Sequence, residues 1–342
     1  MPLLFGIKFA PVIVPLERRL QTLAVATWFI FMTSSSFMGF MLCVYLLLYT
    51  RFYIPTLIYI FWTWYDKGIA EKGGRRLSWV RKLTWWKYFY NYFPINLVKT
   101  VELPTDRNYL FASYPHGMLC SGVFGNFATD ASNFSSLFPG LKPYVLTLNT
   151  HFVMPFSREI ILGLGAVTAS KESILYLLDE DESVGKALIL MVGGARESYA
   201  CKPGRYKIIL KNRKGFVKLS LKTGTSLVPV FSFGETDLYD QVENPPGSWL
   251  FWLQEIIRNI SGIAPCIPIG RGLFQYSFGL MPRRHSVTTV VGKPIDVVKS
   301  ENPSSEEIDK LHTLFCKELT NLFETYKHKY VSNPEKVKLE IE

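Results

Sequence analysis

Apolar and polar positions divide the chain into a long N-terminal apolar stretch and a larger region of short alternating segments. Residues 20–65 are almost wholly apolar or aromatic, and Arg51 is the single full charge among them. One membrane span needs about 20 residues, so this stretch predicts a membrane-embedded helical hairpin. Its turn could lie at residues 33–36 or at Thr50-Arg51, and we favour Thr50-Arg51 because a charge at bilayer depth is costly. A buried two-helix subdomain is the alternative interpretation.

Basic residues flank the predicted hairpin, with Arg18-Arg19 before it and Lys67 after it. Positive charge favours the cytosolic side of a membrane, so residues 1–19 are predicted to be a cytosolic segment. Residues 66–100 combine Lys and Arg with many aromatic residues, and we predict that they lie at the lipid interface. An aromatic core helix is the alternative. For the segment Ser248–Leu253 two interpretations have equal weight: it contacts the membrane surface, or it is a buried core helix.

From residue 101 to residue 330 short apolar runs alternate with helical patterns. This alternation predicts an α/β domain with a mostly parallel sheet. Residues 303–328 predict an amphipathic closing helix, and residues 331–342 a loose polar tail. The predicted strands are Tyr109–Ala112, Tyr144–Leu148, Ala187–Val192, Ser226–Phe231 and Val287–Val291. The predicted helices include Ser157–Leu164, Lys171–Leu178 and Lys214–Lys222.

The net charge indicates which partners the protein binds, and the cysteine content indicates whether disulfides or a zinc site are expected. A net charge of +10 and a pI near 9.2 indicate anionic partners. No nucleic-acid-binding motif accompanies the basic residues, so we expect no nucleic acid and favour membrane surfaces and anionic substrates. The 5 cysteines include no CxxC pair, and their odd number predicts neither a disulfide framework nor a zinc site.

The first candidate for chemistry is Tyr114-Pro115-His116-Gly117, which follows the predicted strand Tyr109–Ala112. Pro115 cannot donate to a central ladder, so the strand should end there, and Gly117 allows a sharp turn. His116 is then displayed at a strand end, where open α/β sheets usually carry their reactive groups. The alternative is a turn that contains a histidine without a function.

The second candidate is the loop that follows the predicted strand Ala187–Val192. Gly193 and Gly194 allow backbone N–H groups to approach an anion or an oxyanion. Glu197 lies at a strand–loop junction, as His116 does, and the ends of parallel strands meet at one edge of a sheet. A capping or solvated carboxylate is the alternative interpretation of Glu197.

The third candidate is a basic cluster at the start of a predicted helix, formed by Lys211, Arg213 and Lys214 before Gly215. Cations are unfavourable at a helix N-terminus because of the helix dipole. A bound anion would account for them there, whereas a solvated basic face is the alternative.

Six motifs occur along the chain in a characteristic order. They are Tyr114-Pro115-His116-Gly117, Gly193–Glu197, Arg213–Lys218, Val228–Glu235, Gly270–Phe274 and Val291–Ile295. Their order and spacing resemble the type-2 diacylglycerol acyltransferase family, which includes monoacylglycerol and wax-alcohol acyltransferases. The resemblance covers nearly the whole chain. It implies a glycerolipid-acyltransferase-like α/β domain, acyl-CoA as donor, a lipid hydroxyl as acceptor, and residence in endoplasmic reticulum and lipid-droplet membranes.

Two positions depart from the pattern that the resemblance implies. Many members carry His where this chain has Tyr114, so His116 is the one imidazole of the motif. The glycerolipid enzymes pair their His with an Asp five residues later, and this chain has Ser121 there. The carboxylate that orients His116 must therefore come from elsewhere, and we favour Glu197 over Asp130.

The resemblance thus implies an acyl-CoA-dependent O-acyltransferase, and among its acceptors we favour diacylglycerol, which would be converted to triacylglycerol. His116 is the expected general base, and a backbone N–H group near Gly117 or Gly194 stabilises the oxyanion. Acyl-CoA is expected as a co-substrate without a further cofactor or a metal, and a homo-oligomer is an open alternative. A monoacylglycerol or long-chain alcohol acyltransferase and a non-catalytic lipid-binding or lipid-droplet protein are the competing hypotheses. The predicted substrate-binding residues are Tyr114, Pro115, Gly117, Asn126, Gly193, Gly194, Arg213, Lys214 and Gly215, with Arg213 and Lys214 at the CoA phosphates.

Overall fold

The computed structural model describes residues 3–11, 13–179, 184–242, 245 and 247–342. Residues 1, 2 and 12 of the predicted N-terminal segment lie outside this range. Residues 180–183, 243, 244 and 246 of the predicted acyltransferase domain also lie outside the described residues.

A seven-stranded sheet lies at the centre of the described part of the chain, in the order β3-β12-β9-β4-β7-β5-β6. All neighbouring strands pair in parallel except β12 and β9. The predicted α/β class and mostly parallel sheet are therefore confirmed. The strands are β1 Leu3–Leu4, β2 Ile7–Lys8, β3 Ile95–Lys99, β4 Tyr109–Tyr114, β5 Lys142–Thr147, β6 Ala166–Thr168, β7 Lys186–Met191, β8 Tyr206–Ile208, β9 Ser226–Phe233, β10 Asp240–Gln241, β11 Pro268–Ile269, β12 Val287–Val291 and β13 Leu339–Ile341.

Helices cover both faces of this sheet. Successive side chains of β4 point to opposite faces, so Phe111 packs with the N-terminal helices and Leu110 with the C-terminal ones. The helices are α1 Leu16–Tyr49, α2 Tyr53–Tyr65, α3 Ser78–Arg81, α4 Thr84–Tyr92, α5 Ser121–Val123, α6 Phe134–Leu137, α7 Thr150–Val153, α8 Ser157–Gly163, α9 Lys171–Asp179, α10 Gly215–Thr223, α11 Trp249–Ser261 and α12 Ser305–Tyr330.

The N-terminal apolar stretch forms two helices that meet at Thr50-Arg51, which confirms the favoured position of the turn. Helix α1 has 34 residues and is long and apolar enough to cross a membrane. Its first part packs on the α/β domain, where Trp28 is buried, whereas Phe37 and Leu48 are 67% and 69% exposed. Helix α2 has 13 residues, about 20 Å, and is too short to span the ~30 Å hydrocarbon core.

The aromatic segment at residues 66–100 contributes more to the core than the interfacial prediction implied. In α4 the side chains of Trp86, Phe89 and Tyr92 are buried and pack against α1 and the sheet. They occupy one helix face, so the spacing of the aromatic residues follows the protein core. Trp79 is 66% exposed, and the interfacial location stays a prediction for such outward side chains.

Helix α11 presents its apolar face outward. Trp249, Trp252 and Ile260 are exposed, whereas the polar Gln254 is buried. The buried-core-helix alternative for Ser248–Leu253 is therefore wrong for its two Trp residues, and contact with the membrane surface stays a prediction.

The C-terminal region closes the second face of the sheet. Helix α12 packs on β9 and begins with a capping box, in which Ser304 Oγ accepts from the Glu307 N–H and Glu307 Oε2 accepts from the Ser304 N–H. The segment predicted as a loose tail is instead ordered, because β13 pairs in parallel with β8.

Candidate active site

Three neighbouring parallel strands deliver the polar groups of the candidate site to one edge of the sheet. Strand β4 lies between β7 and β9. His116 follows the end of β4, Glu197 follows β7, and Glu235 follows β9. The predicted meeting of His116 and Glu197 at one edge is therefore present, and Glu235 joins them.

The contacts of His116 favour one tautomer of its imidazole ring. His116 Nδ1 lies 3.0 Å from Ser198 Oγ and 3.1 Å from the Gly117 carbonyl oxygen. A carbonyl oxygen only accepts, so Nδ1 carries the proton when it bonds to Gly117, and Nε2 keeps its lone pair. Burial lowers the pKa of His116 from its ordinary 6.5, although the Gly117 carbonyl raises it in part. A neutral imidazole with a free Nε2 is the form that a general base requires.

Glu197 holds the backbone around His116 and not its ring. The buried carboxylate accepts from the His116 N–H at 2.5 Å through Oε1 and from the Ile209 N–H at 2.9 Å through Oε2. The predicted contact between Glu197 and the imidazole is therefore replaced by a contact to the main chain, because both oxygens are already directed to N–H groups. Burial raises the pKa of Glu197 to about 7, and the N–H groups of Ile209 and His116 lower it in part.

Asp130, the alternative partner of His116, belongs to a different cluster. Its Oδ1 accepts from Arg81 Nε at 2.9 Å. Arg81 is buried and also donates to the carbonyl oxygens of Ala128 and Leu164, so this ion pair fastens α3 to neighbouring loops. Asp130 does not orient the imidazole in this structure.

Gly193 and Gly194, the two glycines after β7, have different structural roles. A Cβ atom at Gly193 would collide with the carboxyl group of Glu197, so only glycine leaves space for that side chain. The Gly194 N–H donates to the Met191 carbonyl oxygen at 3.1 Å. The Gly117 N–H, in contrast, makes no hydrogen bond within the described ranges. Of the two predicted oxyanion donors, Gly117 is therefore the one that is available.

The basic cluster before α10 divides into two parts. Arg213 Nη2 lies 3.4 Å from the Gly193 carbonyl oxygen, which brings this cation to the edge of the site. Lys214 Nζ forms an ion pair with Asp309 at 2.5 Å and is directed toward α12. Gly215 is exposed at the first turn of α10. Arg213 is thus better placed than Lys214 to meet a substrate anion.

The remaining predicted substrate-binding residues are buried. Tyr114 is fully buried on the α12 side of the sheet, with its ring 6.4 Å from Phe315, and burial raises its pKa well above 10. Pro115 is also buried. Both side-chain amide atoms of Asn126 are buried and lack a hydrogen-bond partner in the described part of the chain. Their substrate-binding roles stay predictions.

Sequence reasoning missed two side chains of this site, Ser198 and Glu235. Ser198 directly follows the motif Gly193–Glu197, and Glu235 is the last residue of the motif Val228–Glu235. Their contacts are made across different strands, and no spacing along the chain marks them. Among the described residues no group of three or more His, Cys, Asp or Glu side chains is placed to hold a metal ion.

Several known proteins are similar to this chain over most of its length. A family model described as Diacylglycerol acyltransferase matches residues 45–342. The 2-acylglycerol O-acyltransferase 1 of Bos taurus is 44% identical over 324 residues, covering 95% of this chain and 96% of that protein. The Diacylglycerol O-acyltransferase 2 of Dictyostelium discoideum is 44% identical over 322 residues, covering 94% of this chain and 96% of that protein.

One solved structure is also similar, the 1-acyl-sn-glycerophosphate (LPA) acyltransferase PlsC from Thermotoga maritima. The match covers 92% of this chain and 98% of that chain, with a TM-score of 0.41 and 16% sequence identity.

Proposed function

The chain belongs to the diacylglycerol acyltransferase family, and from that membership we propose that it transfers the acyl group of acyl-CoA to the free hydroxyl of diacylglycerol, forming triacylglycerol without a further cofactor. Its relatives include a 2-acylglycerol and a diacylglycerol acyltransferase, so acyl transfer to an acylglycerol is common to both. The observation that carries the proposal is the placement of His116 at a strand end, where Nδ1 is hydrogen-bonded and Nε2 has no hydrogen-bond partner among the described residues.

In the proposed mechanism His116 Nε2 takes the proton of the acceptor hydroxyl as the oxygen attacks the thioester carbon. The carbonyl oxygen becomes an oxyanion and accepts a hydrogen bond from the Gly117 N–H, which no described residue engages. When the tetrahedral intermediate collapses, the carbon–sulfur bond breaks, and the imidazolium returns its proton to the CoA thiolate. Ser198 and the Gly117 carbonyl keep the ring oriented through Nδ1.

Glu197 acts in this mechanism through the main chain. It fixes the His116 N–H and the Ile209 N–H with its two oxygens. These two bonds hold the loop after β4 against the segment that precedes the basic cluster. A misplacement of about 1 Å in a catalytic group can lower a rate about 10²-fold, so this anchoring supports catalysis without contact to the substrate.

The membrane location of the proposed reaction follows from its lipid acceptor and from the apolar hairpin. Helix α1 is consistent with membrane association, and its exposed apolar part continues into α2. We place the protein in the endoplasmic reticulum membrane, with the α/β domain in the cytosol and access to lipid droplets. This location remains a proposal that rests on the family resemblance and on the flanking basic residues.

Competition between acceptors tests the proposed function. Purified protein in detergent micelles receives one labelled acyl-CoA together with diacylglycerol, monoacylglycerol and hexadecanol at equal concentrations. We expect triacylglycerol to be the main labelled product. If diacylglycerol were the main labelled product, the preferred acceptor would be monoacylglycerol, and if wax ester were, it would be the long-chain alcohol. Release of CoA without formation of any ester would contradict acyl transfer.

Substitution of Arg213 by alanine is expected to raise the KM for acyl-CoA by roughly 10-fold or more with a smaller change in kcat. A charge-assisted hydrogen bond contributes about 1.5–3 kcal/mol, and each 1.4 kcal/mol corresponds to about a factor of ten. Initial rates at varied acyl-CoA measure this effect. Arg205→Ala is the matched control, because Arg205 is an exposed arginine paired with Glu340. An unchanged KM in Arg213→Ala would remove Arg213 from the CoA site.

The rate of acyl transfer is expected to rise with pH through about 7. Burial raises the pKa of Glu197 and of Glu235 to about 7, so both carboxyls become ionised over this range. A protonated carboxyl cannot accept from two N–H groups with both oxygens as well as a carboxylate does. The pKa of His116 is lowered from 6.5, so the imidazole alone would place the acid limb below 6.5. A pH profile of kcat at saturating acyl-CoA shows whether the rate falls on acidification near pH 7, as the carboxyls predict, or below pH 6.5, as the imidazole alone would.

A further inference from the structure

Glu235 is a second buried carboxylate beside the loop that carries His116. It follows β9, the neighbour of β4 on the side opposite to β7, and is only 2% exposed. Its Oε1 accepts from the Ser121 N–H and its Oε2 from the Gly122 N–H, both at 2.8 Å. The two N–H groups begin α5, so Glu235 fastens the end of the loop that starts at His116.

Two glycines of this loop make space for the Glu235 side chain. A Cβ atom at Gly117 would lie 2.5 Å from Glu235 Cγ, and one at Gly122 would lie 3.1 Å from Glu235 Oε2. Gly117 also has a φ of +59°, a backbone conformation that residues other than glycine rarely adopt. The carboxylate of Glu235 therefore packs directly against the turn that follows His116.

Ser121 is one of the two residues through which Glu235 contacts the loop that begins at His116. Ser121 lies five residues after His116 and carries no carboxylate of its own. In this structure the carboxylate arrives from β9 and bonds to the main chain of Ser121 itself. Glu197 bonds to the main chain of His116 from the β7 side. The loop is thus held at both ends by buried carboxylates from the two strands that flank β4.

We infer that Glu235 is a positioning residue, which keeps His116 and the Gly117 N–H aligned by anchoring residues 117–122 to the end of β9. The inference rests on the proposed role of His116 as the base. Glu235 acts through the loop and does not contact the reacting atoms. Its loss should therefore affect kcat more than the KM for acyl-CoA.

Glu235→Gln is the first test. An amide offers one acceptor and places an NH2 group against a backbone N–H, so one of the two bonds is lost and the loop shifts. We expect kcat to fall roughly 10–10²-fold, as for a catalytic group displaced by about 1 Å, with a much smaller change in the KM for acyl-CoA. Glu235→Asp keeps the charge on a shorter side chain and is expected to fall between Gln and the wild type.

Asp237→Asn is the matched control. Asp237 lies two residues after Glu235, and its Oδ1 accepts from the Gly204 N–H at 2.7 Å, in a loop that does not contain His116. This variant also removes a carboxylate that accepts from the backbone, so it reproduces the chemical change outside the His116 loop. We expect its kcat to stay near that of the wild type.

A double variant and a chemical probe separate positioning from general stability. Adding Glu235→Gln to His116→Ala should slow the reaction by a smaller factor than Glu235→Gln does alone, because only the alignment of the Gly117 N–H is left to lose, whereas a merely structural loss would multiply the two effects in full. Carbethoxylation of His116 by diethyl pyrocarbonate, mapped by mass spectrometry, should be faster in Glu235→Gln than in the wild type and Asp237→Asn. This second readout requires no acyl transfer, so it decides the anchoring even if the proposed function fails. Wild-type kcat and unchanged carbethoxylation in Glu235→Gln would overturn the inference.

Discussion

Replacement of His116 by alanine is expected to lower the rate of acyl transfer by about 10²–10⁴-fold, the usual contribution of a general base. The alcohol of a lipid acceptor is a weak nucleophile at neutral pH, and His116 Nε2 is a basic nitrogen at the strand end that no described residue occupies. The KM for acyl-CoA should change much less, since Arg213 and the basic cluster stay in place. Initial rates at saturating acyl-CoA and acceptor measure this effect.

His328→Ala is the control for the loss of a histidine. His328 lies on α12, is more than half exposed, and faces Glu335 at 3.6 Å. Its replacement should leave the rate near that of the wild type. A His116→Ala protein that is folded and transfers acyl groups at a near-normal rate would remove His116 from the mechanism.

Replacement of Glu197 by glutamine is expected to produce the second large loss, roughly 10–10²-fold in kcat. The buried carboxylate accepts from two N–H groups, and an amide satisfies only one of them. A buried donor that is left without a partner costs about 1–3 kcal/mol, enough to displace the loop or to weaken its alignment. A Glu197→Gln kcat within about twofold of the wild type would contradict the anchoring role.

Asp130→Asn distinguishes the two carboxylates that the sequence left open. The amide oxygen of Asn can still accept from Arg81 Nε, and Arg81 keeps its bonds to the carbonyl oxygens of Ala128 and Leu164. We expect kcat to stay far closer to the wild type than in Glu197→Gln. A larger loss in Asp130→Asn than in Glu197→Gln would reverse this assignment.

The central strands and the helices between them could be predicted from sequence because burial leaves a strong local signal. The run Tyr109–Ala112 is apolar on both faces and lies within β4, which ends before Pro115 as expected. The edge strands β3 and β6 escaped prediction. Residues 95–99 of β3 are mostly half-exposed and lie in an aromatic segment, and β6 is only 3 residues long.

The turn of the apolar hairpin could be predicted because a single charge, Arg51, marks it. The role of the aromatic segment could not, since Trp86 and Phe89 suit a protein core and a lipid interface equally well. Whether such a residue lies in the core or at the interface depends on its packing partners in the fold. The ring centroid of Phe89, for example, lies 4.8 Å from that of Trp28. The order in the tail could not be predicted for a similar reason, because β13 is stabilised by pairing with β8, which lies far away in sequence.

The reactive groups of the site could be predicted in part. His116 and Glu197 were identified because each follows a buried strand, and parallel strands align such ends. Their mutual geometry could not be predicted, since whether Glu197 faces the ring or the backbone of His116 depends on atoms from three strands. Glu235 was missed because its partners, Ser121 and Gly122, lie more than a hundred residues away along the chain.

The most direct test of His116 as the base compares a lipid alcohol acceptor with an analogue that carries a thiol at the same carbon. A thiol ionises several pH units more easily than an alcohol, so it needs less help from a base. We expect the ratio of wild-type to His116→Ala rates to be about 10²–10⁴ with the alcohol and far smaller with the thiol. The same ratio for both acceptors would contradict proton removal by His116.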